Sequence, residues 1–132
     1  MKRLFAIALV LALAGCASNP FTKLYSTVTG STVDPTSVIV AGNAFDALEA
    51  TATNYLRLPR CTGTNSPVCR SPTATPKIIA AVRSGRIARN NLEALYAANP
   101  GALGPAGLYK ALVASINTLQ GIFTTYQVGN VQ

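Results

Sequence analysis

Three stretches of apolar residues, each repeating at alternating steps of three and four, constrain this chain more than any other feature of its sequence. The first consists of Val38, Ala41, Phe45, Leu48, Ala52 and Tyr55, the second of Ile78, Ala81, Gly85, Ala88, Leu92 and Leu95, and the third of Tyr109, Leu112, Ile116, Leu119, Phe123 and Tyr126. Since an α-helix turns once in about 3.6 residues, each set lies on one face of a helix. Three such faces are buried most simply against one another.

Each stretch begins near a helix-start signal. Asp34 can cap the first helix and Pro35 suits its first position, where the missing N–H costs no hydrogen bond. Thr75-Pro76 repeats this signal, and Pro105 ends a cluster of Pro and Gly that breaks the second helix and lies at or near the first position of the third. We predict helices over about 35–57, 76–98 and 105–126. The predicted fold is all-α, a small up-down-up three-helix bundle in which the small residues of the second stripe allow close packing.

The N-terminus carries a segment of another kind. Met1-Lys2-Arg3 supplies positive charge, and Leu4 to Ala14 is a run of eleven apolar residues. As a helix this run is about 16 Å long, roughly half of a bilayer's hydrocarbon core, so a permanent membrane span is not expected. The pattern is typical of a secretory signal.

The end of this segment resembles a known processing site. Leu13-Ala14-Gly15-Cys16 is similar to the lipobox of bacterial lipoprotein precursors, in which Leu lies three residues before the Cys. The resemblance implies a diacylglyceryl group on the Cys16 sulfur, cleavage before Cys16 and acylation of the new amino group. Two or three acyl chains anchor a protein far more firmly than one. The alternative is an ordinary cleaved secretory signal.

The resemblance also implies a location and an organisation of the chain. Ala17, in place of an Asp, indicates the outer membrane, with the protein facing the periplasm. We predict a cleaved signal peptide over 1–15, the lipidated Cys and a tether over 16–33, and a helical domain over 34–132. The mature chain has 117 residues, and it retains nine of the 11 cations against four acids.

The three cysteines have two expected roles, one as the site of lipid attachment and two as a disulfide pair. With Cys16 assigned to lipid, Cys61 and Cys69 remain, separated by seven residues of a turn-rich stretch. An oxidising periplasm favours a disulfide between them, worth about 2.5 kcal/mol on the chain-entropy model. Redox pairs usually have two intervening residues, so a structural bond is the better interpretation.

Catalytic groups are scarce. The chain has no His and only four acids, which are Asp34, Asp46, Glu49 and Glu93. Asp34 is explained as a cap, while Asp46 and Glu49 lie three apart on one helical face. That pair could bind a cation weakly or serve a hydrolase if it lay in a cleft, but a solvated surface is the simpler interpretation. We expect no catalytic residue, no metal and no cofactor.

Positive charge is concentrated in one part of the chain. Seven cations are candidates for binding anions or a partner: Arg57, Arg60, Arg70, Lys77, Arg83, Arg86 and Arg89. Glu93 is the only nearby acid in sequence, and it can pair with Arg89 four residues before it. Phospholipid or lipid A phosphates, peptidoglycan carboxylates and an acidic protein surface are the anions of this compartment, and nucleic acid is not expected. A basic face that only aids solubility is the alternative.

These observations favour a non-enzymatic, lipid-anchored protein of the cell envelope whose helical bundle binds a protein partner or the cell wall. The alternative is a prophage- or plasmid-type envelope lipoprotein that acts in superinfection exclusion or lysis. An envelope hydrolase is a third hypothesis. Oligomeric state is not encoded in any of these features.

Overall fold

The computed structural model describes residues 32–62 and 68–128, and most of them are helical. The elements are β1 (Thr32–Val33), α1 (Pro35–Leu56), α2 (Ala74–Ala98), β2 (Gly104–Pro105) and α3 (Ala106–Tyr126). The three predicted helices are confirmed, with bounds that differ by one or two residues at three of the six ends and agree at the other three. The signal peptide, Cys16 and the tether up to residue 31 lie outside the described residues.

The predicted start of α1 is confirmed in atomic detail. The Asp34 carboxylate accepts a hydrogen bond from the Ser37 backbone N–H at 3.0 Å and another from the Ser37 hydroxyl at 2.7 Å. These bonds lower the pKa of Asp34 below its ordinary value of 3.8. Pro35 occupies the first helical position, and the helix ends at Leu56, one residue before the predicted end.

The start of α2 differs from the prediction. The helix begins at Ala74, two residues earlier; its N-cap residue is Thr73, which makes no side-chain capping bond, and the nearby side-chain acceptor is Ser71 instead of Thr75. The Ser71 hydroxyl accepts a hydrogen bond from the Ala74 N–H at 3.3 Å, and the Thr75 hydroxyl donates to the Ser71 carbonyl at 2.8 Å. Pro76 therefore lies inside the first turn, where its missing N–H has no helical partner to lose. A Pro marks the first turn of a helix, but it does not identify the capping residue.

A two-stranded antiparallel ladder joins the chain before α1 to the connection between α2 and α3. Thr32 lies opposite Pro105, and Val33 opposite Gly104. A Cβ at Gly104 would overlap the hydroxyl of Tyr96, so a larger residue here would have to displace the end of that side chain. The Tyr96 hydroxyl also donates to the Val33 carbonyl at 3.4 Å.

The core of the bundle is formed by the predicted stripes. All of their members are buried except Leu48, Leu95 and Tyr126, which are half-buried. Each pair of helices is in contact, and α3 packs most extensively, against α2. The largest fully buried side chains of α3 are Tyr109, Leu112, Ile116, Leu119 and Val113. Burial raises the pKa of Tyr109, and the charge of Asp34 adds to that increase.

The small residues of α2 allow close packing against α1, as the sequence predicts. The fully buried ring of Phe45 lies directly against Gly85, where an added Cβ would overlap ring atoms. Glycine at this position lets α1 and α2 approach closely enough to bury an aromatic side chain between them.

Candidate functional site

Arg86 and Arg89, two of the seven candidate cations, point across to α1. The Arg89 Nη2 donates to Asp46 Oδ2 at 2.8 Å, and its Nε lies 2.7 Å from Oδ1 of the same carboxylate. Arg86 donates from Nε to Glu49 Oε1 at 2.7 Å, which raises the pKa of the guanidinium. The predicted pair within α2 is also present, since Arg89 Nη1 donates to Glu93 Oε2 at 2.7 Å. Sequence reasoning missed the cross-helix pairs because Asp46 and Glu49 are distant along the chain.

The carboxylates considered for cation binding or hydrolysis are therefore neutralised by guanidinium groups. Asp46 and Glu49 line a shallow polar hollow of about 590 Å³ between α1 and α2. Within the described residues, no group of three or more His, Cys, Asp or Glu side chains is placed to hold a metal ion. Exposed ion pairs of this kind contribute about 0.2–1 kcal/mol each. Their arrangement links α1 to α2.

The cation Lys77 interacts with an aromatic ring. Its Nζ donates to the Tyr126 hydroxyl at 3.4 Å and lies 5.7 Å from the centre of the ring. The pKa of Tyr126 is lowered, first by a hydrogen bond from Thr73 and then by Lys77. This contact connects the start of α2 to the end of α3.

Arg57, Arg60 and Arg83 are exposed and form no ion pair with a carboxylate in the described parts of the chain. The chain has only four acids. Asp34 caps α1, and the other three pair with Arg86 and Arg89. The positive charge of these three arginines is therefore uncompensated within the bundle.

The predicted disulfide between Cys61 and Cys69 is confirmed, with a distance of 5.0 Å between the two Cα atoms. The segments beside it are fixed to the bundle. The Cys61 N–H donates to the Arg70 carbonyl at 3.2 Å, and the Ser71 N–H donates to the hydroxyl of buried Tyr55 at 2.6 Å. The disulfide thus holds half-buried Arg70 near exposed Arg60, its neighbour across a single bridge.

Two apolar hollows, which sequence reasoning did not predict, lie on either side of the ion pairs along the seam of α1 and α2. The first has a volume of about 530 Å³, and its lining includes Val38, Ile39, Leu92, Tyr96 and Leu112. The second has a volume of about 430 Å³, and its lining includes Leu56, Ile79, Val82, Arg83, Arg86 and Ile87. In the sequence, the only indication of these two hollows is the presence of aliphatic residues just outside the helical stripes.

In comparisons with known protein families, curated proteins and solved structures, the chain matches none of them. Its surfaces are therefore interpreted from their own residues. None of the helices over residues 32–62 and 68–128 is sufficiently long and apolar to cross a bilayer.

Proposed function

We propose that the chain is a non-enzymatic, lipid-anchored protein of the bacterial cell envelope whose helical bundle binds a protein partner or the cell wall. The observation that carries the binding role is the uncompensated charge of Arg57, Arg60 and Arg83, since all four Asp and Glu side chains are engaged within the bundle. Guanidinium groups form strong paired hydrogen bonds with carboxylates and phosphates. A partner with an anionic surface fits these residues.

The anchoring role is supported by Leu13-Ala14-Gly15-Cys16, which matches the lipobox at all four positions. In this proposal, residues 1–15 are removed, Cys16 carries the lipid, and the tether up to residue 33 holds the helical domain on the periplasmic side of the outer membrane. The confirmed disulfide fits an oxidising compartment.

An up-down-up arrangement of the helices belongs to the same proposal. It is supported by the order of the cross-helix ion pairs, because Asp46 pairs with Arg89 whereas Glu49, later in α1, pairs with Arg86, earlier in α2. Such an order is expected of antiparallel neighbours.

Mass spectrometry of the N-terminal peptide, from protein purified out of bacterial membranes, tests the anchor. We expect the peptide to begin at Cys16 and to carry the mass of acyl chains. The Cys16→Ser variant is the control and should remain uncleaved and unacylated. An unmodified Cys16, or cleavage at another residue, would overturn the anchoring role.

Crosslinking in intact cells, followed by purification of the acylated protein, tests the binding role. We expect a reproducible crosslinked partner for the natural chain and for Lys110→Glu, which changes an exposed cation on α3. The triple variant Arg57→Glu, Arg60→Glu, Arg83→Glu should lose that partner. Recovery of the natural protein alone, or equal capture by the triple variant, would contradict the proposal.

A further inference from the structure

The outward face of α2 combines exposed aliphatic and cationic side chains in a single row. Ile79, Arg83 and Ile87 follow one another at steps of four, so they lie on one side of the helix. The isoleucines are 44% and 58% exposed. Scattered exposed apolar residues are ordinary in soluble proteins, but a row that alternates with arginine is a defined surface.

The apolar surface continues from this row into the seam beside α1. Leu56 and Val82 are partly buried and pack against the core, and they line the 430 Å³ hollow together with both isoleucines. Arg83 and Arg86 line the same hollow. Arg86 is held by Glu49, whereas Arg83 has no carboxylate partner among the described residues.

The chemistry of this surface favours a lipid bilayer over a protein partner, which assigns Arg83 to the membrane and leaves Arg57 and Arg60 for the partner of the proposed function. Protein interfaces concentrate their binding energy in Trp, Tyr and Arg seated in well-packed pockets, but this shallow hollow offers arginine without any aromatic side chain. Helices bind a membrane interface through buried apolar area and through attraction of their cations to anionic lipids, and the row of Ile79, Arg83 and Ile87 offers both. There the aliphatic side chains enter the acyl boundary, and guanidinium groups reach the phosphates.

We propose that the Ile79–Arg83–Ile87 face of α2 lies against the anionic surface of the bilayer to which the protein is anchored. This inference rests on the proposed anchor, which brings the domain to a membrane. The fifteen residues between Cys16 and Thr32 can span at most about 50 Å. That reach exceeds the length of α2, about 37 Å for its 25 residues, so the domain can lie on its side.

The chain contains no tryptophan, so a single substitution provides a unique fluorescent reporter. The acylated full chain carrying Ile87→Trp is reconstituted into vesicles of phosphatidylethanolamine and phosphatidylglycerol, with and without brominated acyl chains. The matched control is Leu103→Trp, since Leu103 is 59% exposed and lies beyond the C-terminal end of α2, outside the proposed face. We expect blue-shifted emission and strong bromine quenching for Ile87→Trp, and neither for Leu103→Trp.

Lipid charge and Arg83 provide the second arm of the test. Quenching of the Ile87→Trp reporter should fall severalfold in phosphatidylcholine vesicles, at high salt and in a chain that also carries Arg83→Gln. The change Lys110→Gln should leave quenching unaltered. Equal quenching of the two reporters, or no dependence on lipid charge, would overturn the proposal, as would an Ile87→Trp reporter that is open to an aqueous quencher and unaffected by brominated lipid.

Two measurements on the same sample separate this proposal from the anchor itself. Flotation of the vesicles and the mass of the N-terminal peptide show whether the chain is acylated and attached. A chain that floats but shows no quenching of Ile87→Trp overturns the bilayer-facing surface and leaves the anchor intact. A chain that is unacylated and does not float overturns the anchor, and this inference with it.

Discussion

At the scale of single residues, Gly85 and Phe45 illustrate how one missing side chain determines a packing contact. The Phe45 ring occupies the space that a Cβ at Gly85 would need. Ring and helix backbone are both confined, so neither can move away cheaply.

In Gly85→Ala, overpacking should lower the free energy of unfolding by about 1–3 kcal/mol. The higher helix propensity of Ala should offset about 1 kcal/mol of that loss. The matched control is Gly121→Ala in α3, where the added Cβ meets nothing within 4 Å. This control should raise stability by about 0.5–1 kcal/mol. Urea unfolding followed by circular dichroism measures both changes. Stabilisation by Gly85→Ala would show that the Phe45 contact is not restrictive.

Asp34 makes stability depend on pH. Its pKa is lowered in the folded state by the hydrogen bonds from Ser37, so its charged form stabilises α1 above the ordinary pKa of 3.8. That contribution is lost as pH falls through the folded-state pKa. The natural chain should melt at a higher temperature than Asp34→Asn at neutral pH, and the two should converge in acid. A difference that persists at low pH would show that charge is not the cause.

Ion pairs between helices are harder to predict from the sequence than ion pairs within one helix. The pairing of Arg89 with Glu93 follows from their spacing of four within one helix. The pairing of Arg89 with Asp46 depends on how α1 and α2 are rotated about their axes, which periodicity fixes only to within a broad stripe. The sequence therefore does not separate the seven candidate cations by their contacts between helices, although Arg86 and Arg89 pair with carboxylates of α1 and Lys77 contacts Tyr126 of α3.

At the scale of elements, the connection between α1 and α2 is held by the disulfide and by Tyr55. Replacement of Cys61 and Cys69 by Ala should lower the free energy of unfolding by about 2.5 kcal/mol, because the unfolded chain gains the freedom of an open loop. Helical content should be unchanged. Urea unfolding with and without a reductant checks this, and the double variant, which has no disulfide to lose, is the control. Equal stability of the natural chain in both conditions would contradict it.

The ion pair of Arg89 and Asp46 predicts a measurable coupling between α1 and α2. A double-mutant cycle with Arg89→Met and Asp46→Leu should give a coupling energy of about 0.2–1 kcal/mol that shrinks with added salt. Arg83→Met combined with Asp46→Leu should give none, because Arg83 has no pair with that carboxylate. Equal coupling in the two cycles would mean that general charge balance, and not the contact, is being measured.

The helices were predictable because their apolar spacing and their Pro and Asp start signals agree. The ladder of β1 and β2 was not, since strands of two residues are too short to show alternation. The sequence predicts Pro105 at or near the first position of α3, whereas in the structure it belongs to β2 and immediately precedes the helix. The apolar hollows beside the ion pairs arise from the spacing between helices, a property that no single stripe encodes.

At the scale of the whole molecule, α3 is the element on which the others assemble. It buries the largest set of side chains and packs extensively on α2 and also on α1. Backbone amides at the centre of α3, around Leu112 to Leu119, should therefore exchange hydrogen most slowly, and those of α1 faster. Hydrogen exchange with mass spectrometry measures the order. Slowest exchange in α1 would contradict it.

The Phe45 ring seated at Gly85, together with the two ion pairs that join Asp46 and Glu49 of α1 to α2, also fixes the register of α1 against α2. Sliding one helix by a turn, about 5.4 Å, would drive the ring into a side chain and separate both pairs of charges at once. The two helices can therefore separate from each other, but they cannot slide along each other by a turn. Any ligand that binds the outer surface of these helices therefore meets side chains whose spacing is already fixed by the packing of α1 against α2.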